Sequence, residues 1–138
     1  MTAATNPIGS IDDVAQALAG ARDVVVCGHV SPDGDCLGST LGLVHALRLA
    51  GISATPLKAQ DEPLEYGLRF LPGADELVAA GNYEGPLGTF VTVDVPNADR
   101  MGDVARALHA RAARTVTIDH HQGLGDFSQV SYVDPLAP

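Results

Sequence analysis

The sequence predicts an α/β domain, with a mainly parallel β-sheet and helices on both faces. Apolar runs of strand length alternate along the chain with segments whose apolar residues recur at helical spacing. The composition is 46% hydrophobic but only 4% aromatic, so the core must consist mainly of Ala, Val, Leu and Ile, which suits α/β packing. Continuous apolar strands joined through helices are typical of a parallel sheet that is buried on both sides. At 138 residues, the chain has the length of one domain.

The first half of the chain begins with a helix. Ser10 and Asp13 match a capping box, Ile11, Val14 and Leu18 share one face, and Gly20 ends the helix. Strand, helix, strand and a short helix follow. Their predicted bounds are Asp23–Gly28, Cys36–Ala50, Ile52–Leu57 and Leu64–Leu71.

The second half repeats the order strand, helix, strand. The predicted bounds are Thr89–Asp94, Asp103–Arg111 and Arg114–Asp119. Val104 and Leu108 are expected to face the core from the helix. Gly81–Gly88 lacks periodicity and predicts a surface loop.

Charge and cysteine usage argue against several classes of protein. A net charge of −9 disfavours binding of long DNA or RNA, which needs clustered Lys and Arg. No apolar run is long enough to cross a bilayer, and Met1–Gly9 lacks a signal-peptide pattern, so a cytoplasmic protein is expected. Cys27 and Cys36 match neither a redox pair nor a zinc motif and are predicted to be free thiols.

Acidic and imidazole side chains follow three of the predicted strands. Ligands of open parallel sheets bind beyond the carboxyl ends of the strands, and unpaired buried carboxylates are costly, so a shared crevice is expected there. The residues at these strand ends are His29, Asp33 and Asp35, then Asp94, then Asp119, His120 and His121.

The loop from His29 to Asp35 has the richest chemistry. Pro32 and Gly34 can bend the backbone so that the three ligand side chains converge, which would suit a hard divalent cation. The alternative is a polar turn in which Asp35 caps the following helix. A phosphate-binding loop is disfavoured because no Lys follows the glycines.

The other two strand ends allow several roles. Asp94 would be a ligand, a nucleophile or a turn starter. His120 and His121 point in different directions because they are adjacent, so one can bind metal while the other meets substrate.

Together these segments resemble the motifs of the DHH phosphoesterase family, in order and in spacing. The resemblance spans about Val24 to Pro138 and is closest to the nanoRNase type, which comprises bifunctional oligoribonucleases and 3'-phosphoadenosine-5'-phosphate phosphatases. The four matching segments are His29–Ser39, Asp94 with Arg100–Gly102, Asp119–His121 and Tyr132–Pro135.

The resemblance implies two metal ions with Asp94 between them. One ion would be held by His29, Asp33 and Asp94. The second would be held by Asp35, Asp94, His120 and Asp134. Mn²⁺ suits mixed imidazole and carboxylate ligands best, with Mg²⁺, Co²⁺ and Zn²⁺ as alternatives. The two ions would share a hydroxide that attacks phosphorus.

Three further residues receive roles from the resemblance. His121 would hydrogen-bond the scissile phosphate or protonate the leaving oxygen, and Asp119 would orient the histidines. Arg100 would bind or steer phosphate, or else form an exposed salt bridge.

The implied substrates are short oligonucleotides, linear dinucleotides or 3'-phosphoadenosine-5'-phosphate. Inorganic pyrophosphatase or exopolyphosphatase activity, and a non-catalytic nucleotide-binding module, are the alternatives. Residues 1–138 are expected to form the DHH domain, with the family's C-terminal substrate-binding domain absent, so low activity is expected of the chain alone. No membrane partner is expected, and a homodimer is left open.

Overall fold

The computed structural model describes residues 9–121 and 127–137 of the chain. The sequence predictions for residues 1–8 and 138 lie outside the described residues. Six strands form one sheet in the order β3-β2-β1-β4-β5-β6, and every neighbouring pair is parallel. The strands are β1 (Val24–Cys27), β2 (Ala54–Lys58), β3 (Val78–Ala79), β4 (Thr89–Val93), β5 (Arg114–Asp119) and β6 (Val130–Val133). The helices are α1 (Ile11–Ala19), α2 (Gly34–Leu49) and α3 (Asp103–Arg111). The predicted α/β fold is therefore confirmed.

Two apolar clusters cover the two faces of the sheet. Side chains of successive strand residues point to opposite faces, so adjacent valines of β1 belong to different clusters. One cluster joins α1 and α2 to the sheet and includes Val14, Leu18, Val44, Leu47, Val24, Val26, Val91 and Val116. The other joins α3 to the opposite face and includes Ala105, Leu108, Val25, Cys27, Leu57 and Phe90. Helices therefore lie on both faces, as predicted.

The capping box at the start of α1 forms as the sequence predicts. The Asp13 amide donates to Ser10 Oγ over 3.2 Å, and the Ser10 amide donates to Asp13 Oδ2 over 2.8 Å. Val14 and Leu18 are buried, but Ile11 is 53% exposed and does not join them. A residue in the first turn of a helix can extend beyond the edge of the sheet, even when it lies on the same helical face as buried residues.

The inward face of α3 differs from the prediction. Ala105 and Leu108 are buried, whereas Val104 is 50% exposed. Helical spacing allows either Val104 or Ala105 to share the buried face with Leu108. The hydrophobic signal of Ala105 is weak because its side chain is small. Its small side chain allows α3 to pack closely on the sheet, so the predicted role of Val104 was wrong.

Short elements also differ from the sequence prediction. The two strands β3 and β6 were not predicted, because two or four residues carry too little periodicity. Within the predicted helix Leu64–Leu71, only a 3₁₀ turn at Tyr66–Leu68 forms. Gly67 lies inside that turn, and glycine disfavours a longer helix. Among the described residues, no helix has both the length and the apolar character needed to span a bilayer.

The strand order creates a crevice at the carboxyl edge of the sheet. From β1 the chain proceeds to β2 and β3 on one side, and from β4 it proceeds to β5 and β6 on the other. The connections that leave β1 and β4 therefore run in opposite directions. Such a switch point between two central strands is where open α/β sheets bind ligands.

Candidate metal centre

The loop after β1 is held against the first turn of α2. The carboxylate of Asp33 accepts the Cys36 amide over 2.9 Å and is the N-cap of α2. The cap is therefore Asp33, and the alternative reading of Asp35 as the cap was wrong. Asp35 lies in the first turn instead, with its side chain about half exposed. This arrangement leaves both carboxylates at the carboxyl edge of the sheet.

Asp94 occupies the centre of the site. It follows β4, and its side chain is only 5% exposed. Its Oδ2 lies 3.3 Å from His29 Nε2, and its Oδ1 lies 2.9 Å from His120 Nε2. One carboxylate thus presents a separate oxygen to imidazoles from two different strand ends.

The backbone at Asp94 has a conformation that few residues adopt. Its φ is 61°, in the left-handed region, while its amide still donates to the Ile118 carbonyl over 3.0 Å. Aspartate and asparagine tolerate this region better than other non-glycine residues. An uncommon backbone at a buried carboxylate is typical of functional sites.

His29 directs its Nε2 toward two carboxylates. Its Nδ1 lies 2.6 Å from the Val30 carbonyl, which can only accept, so Nδ1 carries the proton. In the neutral ring, Nε2 then offers a lone pair toward Asp94 Oδ2 and toward Asp33 Oδ1 at 3.8 Å. A cation between these three atoms would offset the repulsion between their lone pairs. The donor set therefore fits a divalent metal ion.

His120 makes a second arrangement of the same kind. Its Nε2 lies 3.0 Å from Asp35 Oδ2 as well as 2.9 Å from Asp94 Oδ1. The hydrogen bond to Asp94 raises the pKa of His120, and the charge of Asp35 adds to this effect. A raised pKa means that the two carboxylates favour positive charge at the position of the His120 ring. The set of Asp35, Asp94 and His120 thus fits a second cation.

Asp119 and His121 form a pair beside these ligands. Asp119 Oδ1 lies 2.7 Å from His121 Nδ1, and the Asp119 side chain is 1% exposed. Within residues 9–121 and 127–137, Nε2 of His121 has no hydrogen-bond partner, and the side chain is 42% exposed. In the described residues Asp119 hydrogen-bonds His121 but not His120, so it orients one of the two histidines.

Asp134 lies next to the site, but its carboxylate is turned into its own loop. Its amide donates to the Asp119 carbonyl over 3.0 Å. Its carboxylate oxygens accept from the Tyr132 hydroxyl over 3.3 Å and the Leu136 amide over 3.0 Å. Asp134 thus lies at the same sheet edge as the other predicted ligands, and in the described residues its carboxylate contacts Tyr132 and Leu136 rather than an imidazole.

Arg100 is tied to the loop after β1 through its backbone. Its carbonyl accepts the Val30 amide over 2.8 Å, one residue from His29. The side chain is exposed, and within residues 9–121 and 127–137 its guanidinium forms no ion pair. The predicted alternative of an exposed salt bridge is therefore not found in this part of the chain.

Cys36 is a residue of the site that sequence reasoning did not assign. Its sulfur lies within 4.8 Å of a nitrogen of His29 and an oxygen of Asp94. Burial raises the pKa of this thiol to about 12, so the neutral form predominates and is a poor metal ligand. Both cysteines are free and buried, as predicted. The one signal for Cys36 was its place directly after Asp35.

Two cavities differ in their relation to these ligands. One of about 230 Å³ opens beside Asp94 and His120, with Leu43 and Tyr132 on its apolar side. A larger one of about 380 Å³ lies between α2 and the segment around Pro72, away from every strand-end ligand. The smaller cavity is the one that reaches the candidate site.

Known proteins with similar sequences identify the family of this chain. Residues 23–138 match the model of the DHH family, N-terminal domain. The chain belongs to the DHH family. A relative in Thermus thermophilus, a bifunctional oligoribonuclease and PAP phosphatase, is 31% identical over 125 residues, which are 91% of this chain and 35% of that protein.

One solved structure has a fold similar to that of this chain. The crystal structure of an exopolyphosphatase-related protein from Bacteroides fragilis matches with a TM-score of 0.77 and 25% identity. The match covers 91% of this chain and 38% of that one. This chain therefore spans little more than a third of the length of either protein.

Proposed function

We propose that this chain is the metal-binding part of a phosphoesterase that hydrolyses short oligonucleotides, linear dinucleotides or 3'-phosphoadenosine-5'-phosphate. The observation that carries the proposal is the position of Asp94, whose two oxygens face His29 and His120 separately. Membership of the DHH family and the likeness to an oligoribonuclease and PAP phosphatase support the choice of substrate class.

Two metal ions would be held by residues from three strand ends. His29, Asp33 and Asp94 would hold one ion. Asp35, Asp94 and His120 would hold the other, together with Asp134 if its carboxylate leaves the Leu136 amide. Mn²⁺ is the proposed metal, because the donors are imidazole nitrogens and carboxylate oxygens. When bound, such a pair activates water and neutralises the negative charge of the phosphate.

The remaining side chains would act on the substrate directly. Asp119 binds Nδ1 of His121, so Nε2 would be the nitrogen that hydrogen-bonds a phosphate oxygen or donates a proton to the leaving oxygen. Asp119 positions that ring. Arg100 has its backbone hydrogen-bonded to the loop that follows His29, and its exposed guanidinium would attract the phosphate.

The first experiment counts bound metal. Calorimetric titration with Mn²⁺ should give about two ions per chain, and Asp94→Asn should lose binding of both because it removes the shared ligand charge. Asparagine keeps the side-chain volume and tolerates a positive φ, so this substitution tests the ligand without straining the backbone. Asp75→Asn, at an exposed aspartate away from the site, is the matched control. Absence of Mn²⁺ binding by the unaltered chain would favour a non-catalytic module.

The second experiment compares substrates for the intact protein. A dinucleotide, 3'-phosphoadenosine-5'-phosphate, pyrophosphate and a short polyphosphate are each incubated with and without Mn²⁺. Release from the two nucleotides alone is the expected result. Release mainly from the polyphosphate would favour the second candidate, an exopolyphosphatase, which the fold of the Bacteroides fragilis protein supports. Metal-dependent turnover by Asp94→Asn would contradict both. A cytoplasmic location and a homodimer remain predictions.

A further inference from the structure

The segment after β2 runs beside the candidate metal centre. The tip of Leu68 lies 4.0 Å from the position that a Cβ on Gly34 would occupy, and Gly34 separates Asp33 from Asp35. A groove of about 130 Å³ lies between this segment and the loop after β1, with Ser31 and Pro32 among the residues on one side. Whatever binds at the strand ends therefore has this segment as its neighbour.

An exposed aromatic ring is held in place at the start of the 3₁₀ turn. Tyr66 is 86% exposed, and the guanidinium carbon of Arg69 lies 5.8 Å from the centre of its ring. Arg69 is itself fixed, because its Nε donates to the Leu64 carbonyl over 2.9 Å. One face of the ring thus meets a cation while the ring as a whole stays open to solvent. We call Tyr66 and Arg69 the aromatic shelf.

The chemistry of the aromatic shelf suits a nucleobase better than a phosphate. Bases stack on aromatic side chains, and an arginine over the same ring adds a cation–π contribution. The same segment carries Asp61, Glu62 and Glu65, which would repel a further phosphate. An uncharged, flat ligand avoids that repulsion. A single exposed aromatic residue needs no explanation, so the significance of Tyr66 depends on the contact of its segment with Gly34, between Asp33 and Asp35.

We propose that the aromatic shelf is a subsite that stacks a base of the substrate next to the scissile phosphate. The inference rests on the proposed function, since it requires a nucleotide phosphate at the strand ends. It names the part of the substrate that this segment recognises. A substrate with a base close to the reacting phosphate is bound at both positions, whereas inorganic polyphosphate has no group for the shelf.

The test compares adenosine 5'-monophosphate with ribose 5-phosphate, which has the same phosphate without the base. Dissociation constants are measured by calorimetry at fixed Mn²⁺, so the readout does not need turnover. We expect Tyr66→Ala to weaken binding of the nucleotide about tenfold, the loss typical of one base-stacking contact, and to leave ribose 5-phosphate unchanged. Tyr66→Phe should retain the nucleotide affinity. Leu49→Ala, at a residue 77% exposed at the far end of α2, is the control.

The outcomes separate this inference from the proposed function. Equal affinity of the unaltered chain for the two ligands, or no binding of either, would overturn the subsite. Loss of both ligands in Tyr66→Ala would also overturn it, since the residue would then not recognise the base. Base-dependent binding without hydrolysis by the intact protein would support the aromatic shelf and refute the esterase. Hydrolysis unaffected by Tyr66→Ala, with unchanged nucleotide affinity, would do the reverse.

Discussion

Gly28 directly follows β1 and packs against Cys36 in the first turn of α2, and replacing it with alanine should destabilise the domain. A Cβ on Gly28 would overlap the Cys36 sulfur, at a separation far below the 3.0 Å that real Cβ contacts reach, and would also lie 3.3 Å from the Val93 carbonyl. Cys36 is 1% exposed, so its sulfur has little room to move. Gly28 directly precedes His29, so the overlap would occur next to a proposed metal ligand.

The size of the effect follows from the packing. Adding a methyl group to a filled core costs about 1–3 kcal/mol, so Gly28→Ala should lower the free energy of unfolding by about 2 kcal/mol. Cys36→Ala removes one buried atom and should cost about 1 kcal/mol. If the sulfur is the obstacle, the double variant should cost about 1 kcal/mol, whereas independent effects would add to about 3 kcal/mol.

Urea unfolding of the four proteins measures this coupling. Gly42→Ala is the matched control, because a Cβ there meets nothing within 4 Å and alanine favours a helix, so it should stabilise slightly. Metal titration of the same proteins tests the link to the site. Additive costs in the double variant would refute the reasoning, since the Cys36 sulfur would then not be what excludes a side chain at position 28.

Two further predictions follow from buried titratable groups. Cys27 and Cys36 should resist alkylation at about pH 8 until the chain is unfolded, because burial raises the pKa of both thiols and little thiolate forms; rapid labelling of the folded chain would contradict this. Burial lowers the pKa of His109 below its usual 6.5, so the unfolded state takes up more protons and stability should fall as the pH drops through 6.5. His109→Gln should lose less stability than the unaltered protein in urea unfolding between about pH 7.5 and 5, and equal losses would show that His109 is not responsible.

The sequence predicted the long elements because their patterns are local. The apolar run that forms β1 and the capping box of α1 each specify one element through neighbouring residues. The strand β6 could not be predicted in this way, since its four residues are stabilised by pairing with β5 rather than by their own pattern. The prediction that Val104 faces the core was wrong for a related reason, because packing against the sheet decides which of two helical faces is buried.

The site was predictable as a set of residues but not as a geometry. Asp94 and His120 could be assigned to one sheet edge, because parallel strands align their carboxyl ends. The sequence could not indicate that Asp33 caps α2 or that Asp134 turns toward Leu136, since each depends on the local path of a loop. It also missed the place of the Cys36 sulfur, which follows from how closely α2 approaches Gly28.

The central role of Asp94 follows from the strand order. In the sheet, β4 lies between β1 and β5, and these neighbours end in the segments that carry His29 and His120. A carboxylate at the end of β1 or β5 would have no histidine at the end of an adjacent strand, because β1 lies between β2 and β4, and β5 lies between β4 and β6. The positive φ of Asp94 occurs where the β4 chain leaves its pairing with β5, and its two oxygens reach both neighbours from there. Among the described strands, β4 is the one with a histidine after each of its neighbours, and this is why Asp94 is the residue proposed to share two metal ions.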